Sequence, residues 1–193
     1  MKKVDKFITI FKLQEYCIAN FQNCQREEET MEVVYYTDGS AHPNPGPGGF
    51  GVVTVITGID AMGTPAEMTI EYSKQCKHTT NNAEEMKAII YAVCDAAKRG
   101  IPAIIYSDSA YAINTFTKWM FSWERNGWVK GDGKVPENLE LVKAFFELNK
   151  KYNITLNKVK GHDGDKYNEI ADQLATGQRS VLATVTVPEG WKF

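Results

Sequence analysis

The 193-residue sequence has little net charge, few cysteines and no long hydrophobic run. A formal net charge of -2 and a pI near 6.0 give no argument for nucleic-acid binding from overall charge, although a local basic strip could still serve it. The four cysteines form no CxxC motif and no paired zinc spacing, so we expect reduced thiols in a cytoplasmic protein. No apolar stretch reaches the length of a membrane span or a signal peptide, and we expect no membrane partner.

The length and the 43% hydrophobic content predict one well-buried domain rather than two. We predict an N-terminal helical extension with an acidic linker at 1–30, a main domain at 31–178 and a C-terminal tail at 179–193. The extension either binds a protein partner or packs on the main domain, and packing is the favoured interpretation. The tail alternates apolar and polar residues around 182–187, a pattern compatible with an extra edge strand, which we do not place.

The main domain shows strand patterns first and then alternating helix and strand patterns. We predict strands at 32–38, 50–57, 67–75, 103–108 and 154–161, a loop at 39–49, and helices at 82–98, 110–126, 137–151 and 167–176. This order predicts an α/β fold with a five-stranded mixed sheet, three antiparallel strands followed by two parallel ones, and helices on both faces.

Four acidic residues stand in distinct local contexts: Asp38 in YYTDGS, Glu85 in TNNAEEM, Asp108 in IYSDSAY and Asp172 in NEIADQLA. Asp38 and Asp108 are predicted to end two strands, and ligands of such sheets collect at the carboxyl ends of strands. Glu85 is predicted in the first turn of its helix and Asp172 inside the last helix. Carboxylates that converge in space suit Mg²⁺, which prefers oxygen ligands at roughly 2.0–2.1 Å.

Five motifs together carry a family resemblance over about residues 32–177. They are YTDGSAHPNPGPGGFG, TTNNAEEMKAIIYAV, IYSDSAYAI, KWMFSWERNGW and VKGHDGDKYNEIADQLA. In this order and with these gaps they resemble ribonuclease H of type 1, which is related to the nuclease domain of retroviral reverse transcriptases. The resemblance implies a ribonuclease H-like fold for the main domain. It also implies an endonuclease that hydrolyses the RNA strand of RNA–DNA hybrids with two metal ions and leaves 5′-phosphate and 3′-hydroxyl ends.

The same resemblance assigns the catalytic residues. It makes Asp38, Glu85, Asp108 and Asp172 the ligands of two Mg²⁺ ions, for which Mn²⁺ can substitute, with Asp38 bridging both. His162, in KGHDGD, matches a histidine on a mobile loop that assists the leaving group and product release. An unperturbed pKa near 6.5 suits a histidine to that task.

Asparagines near Glu85 are the residues that the resemblance assigns to RNA recognition. Asn44, Asn81 and Asn82 match positions that line the minor groove of the hybrid. Their amides both donate and accept hydrogen bonds, and the 2′-hydroxyl is the group that separates RNA from DNA at a site.

For the DNA strand, the resemblance implies a phosphate pocket and an aromatic channel. Thr80 and Asn138 match the pocket, and Tyr111, Trp119 and Trp123 match the channel. Aromatic faces stack on nucleotides with little regard to sequence. The alternative is a helical core stripe, because the two tryptophans are four residues apart.

The chain departs from the family pattern at positions that contact the substrate in the family. Ala83 stands where the family often has arginine, and Ala110 where it has glutamine or methionine. Met120 and Phe121 begin a segment with fewer lysines than the family's basic protrusion. Because phosphate neutralisation supplies much of nucleic-acid affinity, we expect weaker hybrid binding.

Two other functions stay open from the sequence. The first keeps the fold but acts on duplex DNA, and the three asparagines near Glu85 argue against it. The second is a non-catalytic binding module, which has no need for four acids. Cleavage assays on hybrid, duplex RNA and duplex DNA distinguish the first alternative from a ribonuclease H, and Mg²⁺ calorimetry distinguishes the second.

For all three functions we expect the protein to be a monomer.

Overall fold

The computed structural model describes residues 31–59, 63–161 and 163–181. Its centre is a five-stranded sheet of order β3-β2-β1-β4-β5. The strands are β1 (Glu32–Ala41), β2 (Gly46–Ile59), β3 (Pro65–Thr79), β4 (Ala103–Ser107) and β5 (Ile154–Lys158). The first three pair in antiparallel fashion, whereas β4 pairs in parallel with β1 and β5. The predicted mixed sheet is therefore confirmed.

The helical segments are α1 (Asn81–Arg99), α2 (Ala110–Asn114), a π-helical turn (Thr115–Trp119), α3 (Met120–Arg125), α4 (Leu139–Asn149) and α5 (Lys166–Ala175). The segment predicted as one helix at 110–126 thus runs without a gap but contains a wider π turn. Such turns are rare and often accompany functional sites. In the described ranges no helix combines the length and the apolar character that crossing a membrane requires.

Helix α1 covers one face of the sheet. The Thr80 side chain accepts a hydrogen bond from the Ala83 amide and caps the start of the helix, and Gly100, at φ 71°, ends it. Met86, Ile89 and Val93 recur at helical spacing, are fully buried and belong to the larger hydrophobic core. Full burial of each such side chain stabilises the fold by about 1.5–3 kcal/mol.

Helix α5 covers the opposite face. Val53 and Val55, which alternate with the α1-facing residues of β2, pack against Ala171 and Leu174 in a second, smaller cluster. Gly51 lies directly beneath α5, because a Cβ atom there would be 2.3 Å from the Ala171 carbonyl oxygen. The predicted placement of helices on both faces is confirmed.

The predicted loop at 39–49 is wrong for most of its length. Strand β1 continues to Ala41 and β2 begins at Gly46, which leaves only a short turn at 42–45. Glycine and proline suggested a loop, but pairing across the two strands, such as Ser40 with Gly49 and Ala41 with Gly48, overrides that local preference. Asp38 therefore lies inside β1 rather than at its end.

Three sequence predictions fall outside the described residues. These are the N-terminal extension and linker at 1–30, the edge strand around 182–187, and the position of His162.

Candidate active site

Parallel pairing of β1 with β4 brings the first two acids together. Thr37 pairs with Ser107 at the end of the shared register. Asp38 and Asp108 are the residues that follow this pair, so they lie side by side where the parallel pairing of β1 and β4 ends. Asp38 is only 8% exposed, and Asp108 is half-buried.

A glycine brings Glu85 to the same place. A Cβ atom on Gly39 would be 2.1 Å from the Glu85 backbone nitrogen, so only glycine lets α1 approach β1 this closely. Glu85 is 9% exposed and lies one residue beyond the first turn of α1, in which it was predicted. The contact delivers its carboxylate from the helix to the strand that carries Asp38.

The three carboxylates form a cluster suited to a cation. One oxygen from each of Asp38, Glu85 and Asp108 lies within 4.8 Å of the others. Oε2 of Glu85 is buried and has no hydrogen-bond partner among the described residues. A buried charged oxygen without a partner is costly unless a cation or a proton compensates it, and an all-oxygen donor set suits Mg²⁺. The residues present therefore fit a divalent metal.

The electrostatics of the cluster support this interpretation. Burial, together with the negative charges of Asp108 and Asp172, raises the pKa of the Asp38 carboxyl to about 7. Burial and the charges of Asp38 and Asp108 hold the pKa of Glu85 well above its usual value. Without a cation these acids resist ionisation, whereas a bound cation favours their charged forms.

Asp172 reaches the site from the other face of the sheet. It lies half-buried on α5, near enough for its charge to raise the pKa of Asp38, but it does not belong to the three-acid cluster. One side chain of β3 holds the end of this helix: Gln75 Nε2 donates to the carbonyls of Leu174 at 2.9 Å and Ala175 at 3.2 Å. The position of Asp172 thus depends on contacts that sequence reasoning missed.

A second contact, between Arg179 and Glu71, fixes the chain just after α5. Arg179 donates from Nε and Nη2 to the two carboxylate oxygens of Glu71, each at 2.7 Å. The side chain of Glu71 is only 6% exposed. The two residues are 108 positions apart, so no local pattern could have revealed the pair.

Glu84 is another residue that the sequence analysis missed. It is 2% exposed and accepts hydrogen bonds from Thr79 Oγ1 and Lys87 Nζ, both at 2.5 Å. These contacts tie the end of β3 to the first turn of α1, next to Glu85. The i, i+3 spacing to Lys87 is the one sequence signal that could have identified it.

The asparagines predicted to read ribose are partly brought together. Asn81 Oδ1 accepts from the Ala41 amide at 2.5 Å, and Asn44 Oδ1 accepts from the Asn81 amide at 3.2 Å. The turn at 42–45 is therefore attached to the start of α1. Asn82 follows directly on the helix and is half-buried.

Thr80 and Asn138 stand at the starts of two different helices. Thr80 uses its hydroxyl to cap α1, whereas Asn138 adopts a left-handed conformation, φ 56°, before α4 and makes no side-chain cap bond. That the two residues share one phosphate pocket stays a prediction.

The aromatic residues form a continuous strip across α2, the π turn and α3. The rings of Tyr111 and Trp119 are 5.9 Å apart edge to face, and those of Trp119 and Trp123 are 6.1 Å apart. Tyr111 and Trp123 pack partly on the core, but Trp119 is 40% exposed. Core packing therefore accounts for only part of the strip.

The segment that leads from β5 toward His162 starts beside Asp108. A Cβ atom on Gly161 would be 2.6 Å from Asp108 Oδ2, so glycine leaves the space that this carboxylate occupies. A groove of about 390 Å³ opens there, lined by Asp108, Lys158, Val159, Lys160 and Gly161.

Comparisons with known proteins converge on one family. The family model described as RNase H matches residues 30–180. A ribonuclease H of Caldanaerobacter subterraneus is 39% identical over 155 residues, which cover 80% of this chain and 94% of that protein.

Solved structures agree in fold. The RNase H domain of prototype foamy virus is 25% identical, with a TM-score of 0.57 over 76% of this chain and 93% of that one. A foamy viral protease-reverse transcriptase in complex with an RNA/DNA hybrid is 20% identical, with a TM-score of 0.59 over 78% of this chain and 21% of that one, and this likeness shows the fold alone.

Proposed function

The chain belongs to the ribonuclease H family, and we propose that it is an endonuclease that hydrolyses the RNA strand of RNA–DNA hybrids. The observation that carries the proposal is the cluster of Asp38, Glu85 and Asp108, which unites three buried or half-buried carboxylates at one edge of the sheet. A non-catalytic module would have no reason to keep this repulsive arrangement.

The proposed cofactor is a pair of Mg²⁺ ions, with Mn²⁺ as a substitute. Asp38, Glu85, Asp108 and Asp172 would hold them. Two such ions supply an activated water and stabilise the departing 3′ oxygen in phosphodiester hydrolysis, which leaves 5′-phosphate and 3′-hydroxyl ends. The unpaired Glu85 Oε2 and the raised pKa of Asp38 support this assignment. A bound cation would pair with the oxygen and would favour the charged form of the Asp38 carboxyl.

The protein's other groups would position the substrate and move protons. The carbonyl oxygens of Asn44 and Asn81 accept hydrogen bonds within the described residues, which leaves their amide NH₂ groups to donate to ribose 2′-hydroxyls. Asn82 would join them from the next position of α1. His162 would give a proton to the leaving group, and the start of its loop beside Asp108 supports that role.

The DNA strand would be gripped by a phosphate pocket of Thr80 and Asn138 and by stacking on the aromatic strip of Tyr111, Trp119 and Trp123. The exposure of Trp119 supports the stacking. Because Ala83 and Ala110 offer no polar contact, this strip would supply a larger share of hybrid affinity here than in proteins that have arginine and glutamine at those positions.

The test is cleavage by the full chain and by Asp108→Asn, with Glu147→Gln, at an exposed position of α4, as the control. The substrates are a labelled RNA–DNA hybrid, duplex RNA and duplex DNA. We expect hybrid cleavage by the parent and the control, and cleavage at background level in Asp108→Asn with cooperative unfolding retained. Retained activity in Asp108→Asn would reject the site, and preference for duplex DNA would reject the substrate.

The limits of the catalytic domain, the cellular location and the oligomeric state are further proposals. We propose that residues 31–178 form the catalytic domain, and that a chain starting at Glu32 cleaves hybrid as the full chain does. The unpaired thiols of Cys76 and Cys94 agree with a cytoplasmic setting. A monomer is expected in sedimentation equilibrium, and a protein partner of residues 1–30 would appear as a mass that the shorter chain loses.

A further inference from the structure

Asn168 lies at the acid site although no motif assigned it a role. It stands on α5 one helical turn before Asp172 and is 3% exposed. The Asp165 carboxylate caps the helix by accepting from the amides of Tyr167 at 3.0 Å and Asn168 at 3.1 Å. The backbone of Asn168 is thus fixed, and its side chain is directed away from solvent.

The side chain of Asn168 contacts Asp108 across the gap between α5 and β4. Its Nδ2 donates to Asp108 Oδ2 at 3.5 Å. The same oxygen faces Gly161, where a Cβ atom would be only 2.6 Å away. An amide turned the other way would place its oxygen against the carboxylate, so the charge of Asp108 sets the orientation of Asn168.

The other end of the amide has no partner. Asn168 Oδ1 is buried and accepts no hydrogen bond from the described residues. An unpaired buried acceptor destabilises the folded protein, and an apolar side chain of similar shape would avoid that cost. Within the described ranges, three buried side-chain atoms lack a partner, and two of them, Glu85 Oε2 and Asn168 Oδ1, belong to residues that meet the acids of the cluster.

We propose that Asn168 is a positioning residue for the metal site. Its NH₂ group holds the Asp108 carboxylate in the orientation that binds a cation, and its Oδ1 accepts a hydrogen bond from a water in the hydration shell of that cation. Mg²⁺ keeps several waters when it binds a protein, and groups behind the direct ligands orient them and tune affinity. This inference rests on the proposed function, because it requires that the three-acid cluster binds a divalent ion.

The test measures metal binding and stability separately from catalysis. The variants are Asn168→Leu, which keeps the branching at Cγ without polar atoms, and Asn168→Ala, which cannot clash. Asn149→Leu, at a half-buried position of α4, is the control. Titration calorimetry with Mn²⁺ alone gives the affinity, and thermal unfolding in a chelator gives the stability of the metal-free protein.

We expect both Asn168 variants to bind Mn²⁺ about 10- to 100-fold more weakly, as loss of such groups does in other metal sites. In the chelator, Asn168→Leu should be as stable as the parent or more stable, since the unpaired acceptor is gone. A purely structural role predicts the opposite pair of results, a less stable metal-free protein with unchanged Mn²⁺ affinity.

Three results would overturn the inference. Affinity within twofold of the parent in either folded variant rejects the role of Asn168 alone, while hybrid cleavage by the parent still supports the proposed function. An equal loss of affinity in Asn149→Leu shows a general effect of the substitution. A parent that binds no Mn²⁺ rejects the metal site, and the inference falls with it.

Discussion

The acids of the site are held in two different ways. Asp38, Glu85 and Asp108 stand where β1, β4 and α1 meet above the larger core, and strand register and backbone contact fix them. Asp172 stands on α5 above the smaller cluster, and the Gln75 side chain of β3 holds the end of its helix. Strand register and close backbone contact therefore place the three-acid side, whereas on the α5 side close packing over Gly51 is supplemented by polar contacts from β3. Chemistry that needs both sides depends on both kinds of attachment.

Gly39→Ala is the substitution from which we expect the largest effect, and it acts on the three-acid side. Its Cβ atom would lie 2.1 Å from the Glu85 nitrogen, so α1 must move off β1. We expect a loss of stability of about 3 kcal/mol, at the upper end of the cost of overpacking, and loss of hybrid cleavage. Urea unfolding and the cleavage assay measure both effects. Gly131→Ala, at a glycine with open space around it, should leave stability unchanged, and a stable, active Gly39→Ala would contradict the account.

A pH titration of stability tests the charge on the three-acid side. The folded pKa of Asp38, about 7, lies above its unfolded value of about 3.9, so the folded state binds more protons between these values. In a chelator, stability should therefore fall as pH rises from about 4 to 7, by at most about 1.4 kcal/mol per pH unit for this group. Asp38→Asn should flatten the decline in urea unfolding. A rise in stability over that range would contradict the raised pKa.

The smallest effect is expected on the α5 side, from the double substitution Gln75→Ala with Glu71→Ala. It removes the contacts to the end of α5 and to Arg179, and because Arg179 is 40% exposed its freed guanidinium meets water, so we expect a loss of only about 1 kcal/mol. Hybrid cleavage should fall about tenfold, the effect of a roughly 1.4 kcal/mol higher barrier when Asp172 is misplaced.

Binding of Mn²⁺ to the three-acid cluster should survive in this double variant, which calorimetry can show. Lys150→Ala, which breaks the exposed pair with Glu147 on α4, is the control and should leave cleavage unchanged. Cleavage at the parent's rate would mean that the α5 side needs no such attachment.

The same division separates what the sequence could predict from what it could not. The strand pattern predicted that Asp38 and Asp108 end two strands. Parallel pairing does bring them side by side, although β1 continues to Ala41. Glu85 and Asp172 came only from the family resemblance, since no periodicity shows that Gly39 and Gly51 let two helices approach the strands. The partners Glu71 and Arg179 are distant in the chain and match no motif.

Local preference failed where tertiary contacts opposed it. The glycines and prolines at 39–49 predicted a loop, yet pairing with β2 extends β1 through Ala41. The helix at 110–126 was predicted, but its π turn was not, because the prediction rested on regular α-helical spacing throughout the segment.

Gly39, which follows Asp38 in the DGS triplet, has a consequence for how such proteins diverge. A carboxylate can be exchanged for an amide and the protein still folds, so the chemistry of the site can be lost one residue at a time. A side chain at Gly39 would meet the backbone of α1 at once and unseat the helix that carries Glu85. A descendant that no longer cleaves nucleic acid would thus be expected to lose its acids long before it loses this glycine. A DGS triplet in which only the aspartate is replaced would therefore indicate a family member that has kept the fold and lost catalysis.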